Sequence, residues 1–215
     1  LANVYLHYVL DLWFEKCIKK QLYGEAYLVR FADDFLIMFQ YERDAQRVYE
    51  AIIKRMELFG LELSKEKTRI LPFGRYSVSR ETFDFLGFTH FNSKTRKGYY
   101  SVGHKISRKK KKQFKSNLKK WVKENRDKQF DEFMKKLNKK LTGSFNYYSL
   151  SGMIREVRNL WNHAQYVTFK WLNRRSQRRS FKLERFYGIW NDLIVHPYIH
   201  VDIWSGDKVI YNKNV

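Results

Sequence analysis

The chain has 215 residues, of which 44% are hydrophobic and 18% aromatic, so it can form a sizeable core and is not disordered over most of its length. Its 43 Lys and Arg residues against 22 Asp and Glu give a net charge of +21, which indicates a polyanionic partner, either nucleic acid or an anionic membrane surface. The single cysteine, Cys17, excludes an internal disulfide framework and a cysteine-based zinc site. No apolar run reaches the length of about 18 residues that predicts a transmembrane helix.

The positive charge is concentrated in the middle of the chain. Residues 104–143 carry 16 basic and 4 acidic side chains, a net charge of +12, and residues 144–185 carry 9 and 2, a net charge of +7. Residues 1–103 have a net charge of only +3. Such segregation indicates a binding face, because a charged block of this density repels itself without a counter-charge; the alternative is a solvated helix surface.

The pattern of the first forty residues predicts a helix followed by a β-hairpin. Residues 1–20 have helical apolar spacing. The stripe consists of Val4, Tyr8, Leu12 and Trp13. Residues 27–39 form two apolar runs of β-forming residues, which we expect to be buried, separated by Ala32-Asp33-Asp34. Because Asp is favoured in turns and disfavoured in strands, both acids are predicted at the hairpin tip. The chain begins at Leu1 without a visible signal peptide, and we expect it to be the later part of a longer protein.

A helix over residues 43–59 and strands over 68–73, 83–91 and 98–103 are predicted next. From residue 107 the apolar spacing becomes helical and lysines fill the intervening positions. The stripes consist of Phe114, Leu118, Trp121 and Val122, then Phe130, Phe133, Met134, Leu137 and Leu141. A third long helix is predicted over 153–172, so this part of the chain reads as a helical bundle with a cationic exterior.

The adjacent carboxylates of Asp33 and Asp34 are the feature with the clearest chemistry. Successive residues of a regular strand point to opposite faces, so two adjacent acids can converge on one site only where the strand turns. Mg²⁺ accepts carboxylate oxygens while it keeps water and phosphate ligands, and a pair of such ions can clamp both oxygens in phosphoryl transfer. The alternative is an ordinary exposed Asp-Asp turn.

Five segments in chain order carry a resemblance to a known family. Phe31-Ala32-Asp33-Asp34 resembles the aromatic-x-Asp-Asp motif of reverse transcriptases. Residues 1–7 resemble the preceding helix of group II intron reverse transcriptases, and residues 60–68 match the pattern Gly-Leu-x-Leu-x-x-x-Lys-Thr of their next block. Phe85-Leu86-Gly87-Phe88 resembles their primer grip, and residues 141–148 resemble the start of the intron maturase domain. The chain therefore resembles the C-terminal part of a group II intron-encoded reverse transcriptase/maturase.

The resemblance implies an RNA-directed DNA polymerase that uses two Mg²⁺ ions, binds intron RNA and assists splicing. Asp33 and Asp34 are then the catalytic pair, Asp33 as the direct metal ligand and Asp34 as the supporting one. A third aspartate and the fingers that hold the nucleotide are expected before Leu1, so we expect no polymerase activity from this chain alone. The implied partners are intron RNA, template–primer nucleic acid and dNTP, without a membrane and with dimerisation left open, in a bacterial cytoplasm or an organelle.

One position departs from the family pattern, and another could be mistaken for the missing aspartate. The usual tyrosine before Ala-Asp-Asp is Phe31 here, which keeps the ring for packing and loses the hydroxyl, so we expect activity to survive. Asp11 is no substitute for the third aspartate, because it lies in a helix whose context does not match.

Further candidate residues surround these motifs. Lys65 and Lys67 could steady phosphates near the metals, and the family pattern selects Lys67; the alternative is a solvated turn. The primer-grip resemblance covers Phe85, Leu86, Gly87 and Phe88. Gly87 could let a nucleic-acid backbone approach closely, the alternative being a β-bulge.

Two basic clusters are candidate nucleic-acid contacts. The first, Lys109, Lys110, Lys111 and Lys112, opens a helix that resembles the family's thumb, which follows duplex phosphates; a nuclear-targeting signal would look similar. The second consists of Arg174, Arg175, Arg178 and Arg179. At spacings i, i+1, i+4 and i+5 these arginines would share one helical face, and their forks suit RNA phosphates. We do not expect a zinc site at His196, His200 and Asp202, because Pro197 breaks the helix that the spacing needs.

The predicted fold class is α+β, with a partial polymerase palm of antiparallel sheet and helices followed by an all-α region. We expect the palm over residues 1–103, thumb-like basic helices over 104–141 and a maturase-like helical region over 142–215. One alternative function is an RNA-binding maturase or splicing cofactor without polymerase activity. Another is a retron-type or defence-type bacterial reverse transcriptase.

Overall fold

The computed structural model describes residues 1–64, 66–175, 180–199 and 201, and it mixes helices with two small antiparallel sheets. The chain divides into two compact units. The first unit comprises residues 1–86 and 90–103, and the second comprises residues 87–89 together with the chain from residue 104 onward. The predicted mixture of helix and antiparallel sheet is confirmed.

The chain begins with a helical segment whose turns are of three kinds. Helix α1, Ala2–Leu6, runs into π-helical turns over His7–Leu12 and Phe14–Ile18 and ends in a 3₁₀ turn, Lys19–Gln21. The helix predicted over residues 1–20 is therefore present, but most of it is wider than an α-helix.

The π-helical turns change which side chains of this segment are buried. Val9, Leu10 and Phe14 enter the core, whereas Val4 and Tyr8 of the predicted stripe are exposed. Residues five apart, such as Val9 and Phe14, share a face where hydrogen bonds run from i to i+5. The predicted stripe is wrong at Val4 and Tyr8, because it assumed a spacing of 3.6 residues, whereas Trp13 does pack against the core.

The predicted hairpin and the helix after it are confirmed. Strand β1, Ala26–Phe31, pairs antiparallel with β2, Asp34–Phe39, and Phe31 lies opposite Asp34 across a two-residue turn. Helix α2, Glu42–Leu58, follows directly. The buried Asp44 in its first turn accepts hydrogen bonds at 3.0 Å from the backbone N–H groups of Tyr23 and Gly24, which fixes the chain just before β1.

Only one face of this hairpin is covered. Side chains alternate between the faces of a strand, and the covered set packs on the core formed with α2 and the N-terminal segment. That set consists of Ala26, Leu28, Phe35, Ile37 and Phe39. On the other face Tyr27, Val29, Phe31 and Met38 are exposed. The prediction that both flanking runs are buried is therefore wrong, because a two-stranded sheet with a helix on one side leaves its second face open.

A three-stranded sheet follows in the order β3-β4-β5, with β3 at Thr82–Phe85, β4 at Phe88–Lys94 and β5 at Tyr100–Ile106. The single strand predicted over residues 83–91 is wrong, because Leu86 and Gly87 have φ values of 50° and 83° and form a two-residue turn that reverses the chain.

Residues 68–73, all within the described part of the chain, form no strand, contrary to the prediction. Pro72 lies within this run and has no N–H group to donate to a sheet.

The described residues of the second unit form a bundle of four helices: α3, Arg108–Asn125; α4, Phe130–Tyr148; α5, Ile154–Leu172; and α6, Leu183–Leu193. The three long helices predicted from apolar spacing are confirmed, whereas α6 was not predicted. The predicted boundary between residues 141 and 142 lies inside α4.

The side-chain contacts define the direction of each helix. Lys111 of α3 meets Glu156 near the starts of α3 and α5, and Lys123 meets Trp171 near their ends, so these two helices run parallel. The ring of Trp121 stacks on Phe133 at 5.3 Å between centroids, which sets α4 antiparallel to α3.

All four helices contribute to one hydrophobic core. Its largest buried side chains are Phe133, Phe145, Phe186 and Trp190. Among the helices that the structure describes, none combines the length and apolar character needed to cross a membrane.

Candidate carboxylate site and nucleic-acid interface

Asp33 and Asp34 lie at the exposed tip of the β1–β2 hairpin, as predicted. Asp33 occupies the two-residue turn and Asp34 is the first residue of β2. Ala32, which precedes them, has a φ of 55°, a left-handed conformation that costs a residue with a Cβ about 1 kcal/mol or more. The turn that presents the two carboxylates is therefore strained and needs support from the surrounding structure.

Arg30 supplies that support by joining the turn to the N-terminal segment. Its Nε and Nη2 donate to Oδ1 and Oδ2 of Asp11, both at 2.7 Å. Its Nη1 donates to the backbone carbonyl of Ala32 at 2.8 Å and to Oδ1 of Asn3 at 3.3 Å. One guanidinium thus holds the strained residue of the turn to two residues of the helical segment.

The electrostatics of this pair favour the charged state of both partners. The hydrogen bond from Arg30 lowers the pKa of Asp11, and a weaker hydrogen bond from His7 acts in the same direction. The same contact with Asp11 raises the pKa of Arg30. Asp11 was excluded above as a metal ligand, and its carboxylate instead anchors Arg30. The sequence signal for this role was a lone arginine within an apolar strand.

The donor set at the hairpin tip suits Mg²⁺, which prefers oxygen ligands and keeps several of its waters. Asp33 and Asp34 are both exposed and supply carboxylate oxygens. Among the described residues, no group of three or more His, Cys, Asp or Glu side chains could enclose a metal ion. Phe31, the aromatic residue that precedes Ala32-Asp33-Asp34, is exposed on the open face of the hairpin. Its ring therefore makes little of the packing that was expected of it.

Within the turn that resembles a primer grip, Phe85–Phe88, it is Gly87 that contacts the start of α3. The backbone N–H of Ser107, the residue that caps α3, donates to the carbonyl of Gly87 at 2.9 Å. A Cβ at Gly87 would lie 3.4 Å from Cγ of Lys110, so the lysine stem packs directly on this glycine. Gly87 therefore serves a positive-φ turn and a close approach, and it is not a bulge.

Phe88, the residue after this glycine, packs on the segment that resembles the maturase domain. Its ring stacks on Tyr147 with centroids 5.6 Å apart and meets Tyr148 edge-on at 5.5 Å. Parts of three motifs that are distant in sequence thus meet within the second unit: Gly87 and Phe88 of the grip-like turn, the lysine run and the maturase-like segment.

The four lysines at the start of α3 differ in their surroundings. Lys109, Lys110 and Lys112 are exposed. Lys111 is half-buried, and its Nζ lies 2.5 Å from Oε2 of Glu156 in an ion pair. Three lysines of the run are therefore presented to solvent and one binds a neighbouring helix.

The remaining candidates are more dispersed. Lys67 is exposed in a turn where its backbone N–H donates to the carbonyl of Ser64 at 3.0 Å. Arg174 and Arg175 were predicted to lie on one helical face. Helix α5 ends at Leu172, so both arginines follow the helix and this prediction is wrong for them. Lys65, Arg178, Arg179, His200 and Asp202 lie outside the described residues.

The side chain of Asn173 explains why α5 ends where it does. Its Oδ1 accepts from the backbone N–H of Phe181 at 2.8 Å, and its Nδ2 donates to the carbonyl of the same residue at 3.2 Å. These two bonds turn the chain back toward α5 and stop the helix before the arginines.

Comparison with known families agrees with this arrangement. Residues 1–90 match the family model for reverse transcriptase (RNA-dependent DNA polymerase), which defines the class of the first unit. Residues 111–188 match the model for the group II intron maturase-specific domain. The chain belongs to the group II intron-encoded reverse transcriptase/maturases, as its motif order predicted. No curated protein matches the chain.

The Arg30–Asp11 contact predicts how the stability of the hairpin depends on pH. Because the pKa of Asp11 is lowered by folding, the contact stabilises the hairpin fully above the unfolded value of about 3.9 and loses its effect as the pH falls through the folded pKa. Asp11→Asn should remove about 1 to 3 kcal/mol at pH 7 and abolish this acid-dependent loss. Urea unfolding followed between pH 2 and 7 measures both effects.

The control for this experiment lies on the same segment. Glu15 forms an exposed i,i+4 pair with Lys19, so Glu15→Gln should change the free energy of unfolding by less than about 0.5 kcal/mol. If Asp11→Asn were as mild as this control, Arg30 would not be the support of the turn.

Proposed function

We propose that the second unit binds structured RNA of a group II intron through the start of α3 and acts as a maturase. The observation that carries this proposal is the first turn of the helix: five consecutive basic residues, 108–112, occupy its N-terminus with no acidic residue among them. By binding the active fold of the intron more tightly than its unfolded forms, such a surface would favour splicing through mass action alone.

This placement of charge is unfavourable for the isolated helix. The N-terminus of a helix carries a partial positive charge, which stabilises acidic side chains and anions and disfavours lysines. Four of these basic side chains, Arg108, Lys109, Lys110 and Lys112, are also exposed. A phosphate bound here would compensate both the side chains and the exposed N–H groups, so the start of α3 is organised for a polyanion.

RNA is the polyanion that best fits lysines in this setting. The minor groove and backbone of an A-form duplex are recognised by shape and charge, and lysines act on phosphates as flexible point charges. The match to the maturase-specific domain begins at residue 111, within the run. We assign the residues around α3 a thumb-like role over 104–141 and the rest of the bundle a maturase role over 142–215.

The paired and exposed lysines provide an internal test of RNA binding. Replacing Lys109, Lys110 and Lys112 together by Gln should lower the slope of log K against log salt by up to about three phosphate units and weaken binding to all RNAs alike. Filter binding to an RNA hairpin over a salt series measures this slope.

Lys111→Gln is the matched control, because the same substitution in the same turn removes a lysine that is paired with Glu156. It should lower the thermal stability of the bundle and leave the slope nearly unchanged. Equal slopes for the triple variant and the wild type would contradict the proposed interface.

A second function is supported by the exposed carboxylates of Asp33 and Asp34. We propose that they hold Mg²⁺ in an RNA-directed DNA polymerase whose palm includes residues 1–103, with Asp33 as the direct ligand and Asp34 as the supporting one. When bound, the metal would stabilise the negative charge that develops during nucleotidyl transfer from a dNTP to the primer. Within the chain, Arg30 keeps the turn in its strained conformation, Lys67 supports phosphates, and the Phe85–Phe88 turn contacts the primer.

Paramagnetic Mn²⁺ tests the metal assignment on the chain as it is. At submillimolar Mn²⁺, the backbone NMR signals of residues 32–35 should broaden first, and Asp33→Asn should reduce this broadening more than Asp34→Asn. Glu81→Gln, which removes an exposed carboxylate elsewhere in the first unit, is the control and should have no effect. Unchanged broadening in the Asp33 variant would contradict its role as a metal ligand.

A further inference from the structure

Three positive side chains of the second unit surround one indole ring. The charged groups of Lys123, Arg126 and Arg174 lie 5.6, 5.5 and 5.5 Å from the ring centroid of Trp171, which is half-buried on α5. Lys123 belongs to the last turn of α3, Arg126 caps that helix, and Arg174 follows α5. Three cations from the ends of two parallel helices thus lie around a single aromatic side chain. We refer to Lys123, Arg126, Trp171 and Arg174 as the Trp171 cluster.

Among the described residues, the Trp171 cluster holds three positive charges, and the ion pair recorded for them is a long one between Arg126 and Asp127. Because all three groups lie within 5.6 Å of one point, no two can be more than about 11 Å apart, which is close to the Debye length of about 10 Å at 0.1 M salt. The carboxylate of Asp127 is largely exposed, and its Oδ2 lies 3.6 Å from Nε of Arg126, too far for a hydrogen bond. Attraction to the indole face therefore holds these like charges together.

Arg126 also retains an unused hydrogen-bond donor. Its Nε is buried and has no hydrogen-bond acceptor among the described residues. A buried charged donor without an acceptor is costly, and an anion close to the exposed part of the guanidinium would reduce this cost by electrostatic attraction.

Helix polarity alone does not account for the arrangement. The C-terminal ends of α3 and α5 attract cations, and each basic side chain could satisfy that attraction separately from an exposed position. Convergence of three cations on one ring, beside a buried donor that lacks an acceptor, is not needed for this purpose. Both features are those of an anion site in which the indole orients the guanidinium planes.

We propose that the Trp171 cluster binds a backbone phosphate of the RNA. The proposal rests on the function proposed above and extends it to the far end of the same helix. Lys123 follows Lys110 by thirteen positions, a distance of about 20 Å along α3 at 1.5 Å per residue. A folded RNA offers phosphates at both ends of such a span, and arginine forks match a phosphate in a way that lysine cannot.

A double-mutant cycle tests whether the two arginines share one phosphate. Filter binding to a fluorescein-labelled RNA hairpin at several salt concentrations would compare the wild type with Arg126→Gln, Arg174→Gln and the double variant. Each single change should weaken binding about tenfold. The double change should cost clearly less than the hundredfold product, because the phosphate is already poorly held after the first loss. The slope against log salt should fall by about one unit.

Lys135 and Lys139 provide the control pair, because both are exposed on α4 and lie outside the cluster. Their Gln variants should each weaken binding less than about threefold, and the two effects should multiply. Arg174→Lys keeps the positive charge at an exposed position but removes the guanidinium fork. This variant should therefore still bind the RNA more weakly than the wild type. Circular dichroism verifies that the variant is folded.

The outcomes separate the two proposals. If the wild type fails to bind the RNA hairpin, RNA binding by this unit is wrong and the cluster has no phosphate to bind. If the wild type binds and the cluster variants behave like the α4 control pair, only the Trp171 cluster proposal is overturned. Full affinity in Arg174→Lys would likewise reduce the site to generic charge and overturn it.

Discussion

Repulsion between like charges is the constraint on which the second unit depends. Residues 104–185 carry 25 basic and 6 acidic side chains, a net charge of +19. An apolar core shared by four helices holds this charged segment together. One of the six acidic residues of the segment, Glu156, forms an ion pair with Lys111 between α5 and α3. Most of the remaining positive charge faces solvent, so the bundle is a stable scaffold whose surface is incompletely neutralised. A polyanion would supply the missing counter-charge, which is why we propose that the bundle binds RNA.

The constraint on the first unit is different: two acidic residues lie on a strained turn. Its carboxylates are not enclosed by the described side chains, so their position depends on the backbone. Arg30 fixes that backbone by bonding to the carbonyl of Ala32 while Asp11 neutralises its charge. Without the Asp11 carboxylate, the guanidinium would lie half-buried against the hairpin without a counter-charge. Rigidity at the tip is therefore produced by a contact from 19 residues earlier in the chain.

The sequence predicted those features that depend on local periodicity. Alternating β-forming residues around Asp33 and Asp34 predicted the hairpin and its acidic tip, and the 3.6-residue spacing predicted three of the four bundle helices. It did not predict features that tertiary contacts decide. The pairing of Lys111 with Glu156 requires knowledge that α3 and α5 run parallel. The division of the predicted strand 83–91 into β3 and β4 depends on the positive φ values of the turn at Gly87. The grouping of cations around Trp171 depends on the ends of α3 and α5 lying close together.

The central claim is that RNA supplies the counter-charge of the bundle, and thermal unfolding of the chain tests it most directly. Without RNA, added NaCl should raise the unfolding midpoint by screening the internal repulsion. At low salt, an RNA hairpin at a hundred times its Kd should stabilise the chain by about 2.7 kcal/mol, a shift of several degrees, and this gain should disappear as salt increases. An unfolding midpoint that is insensitive to the RNA hairpin at low salt would contradict the account.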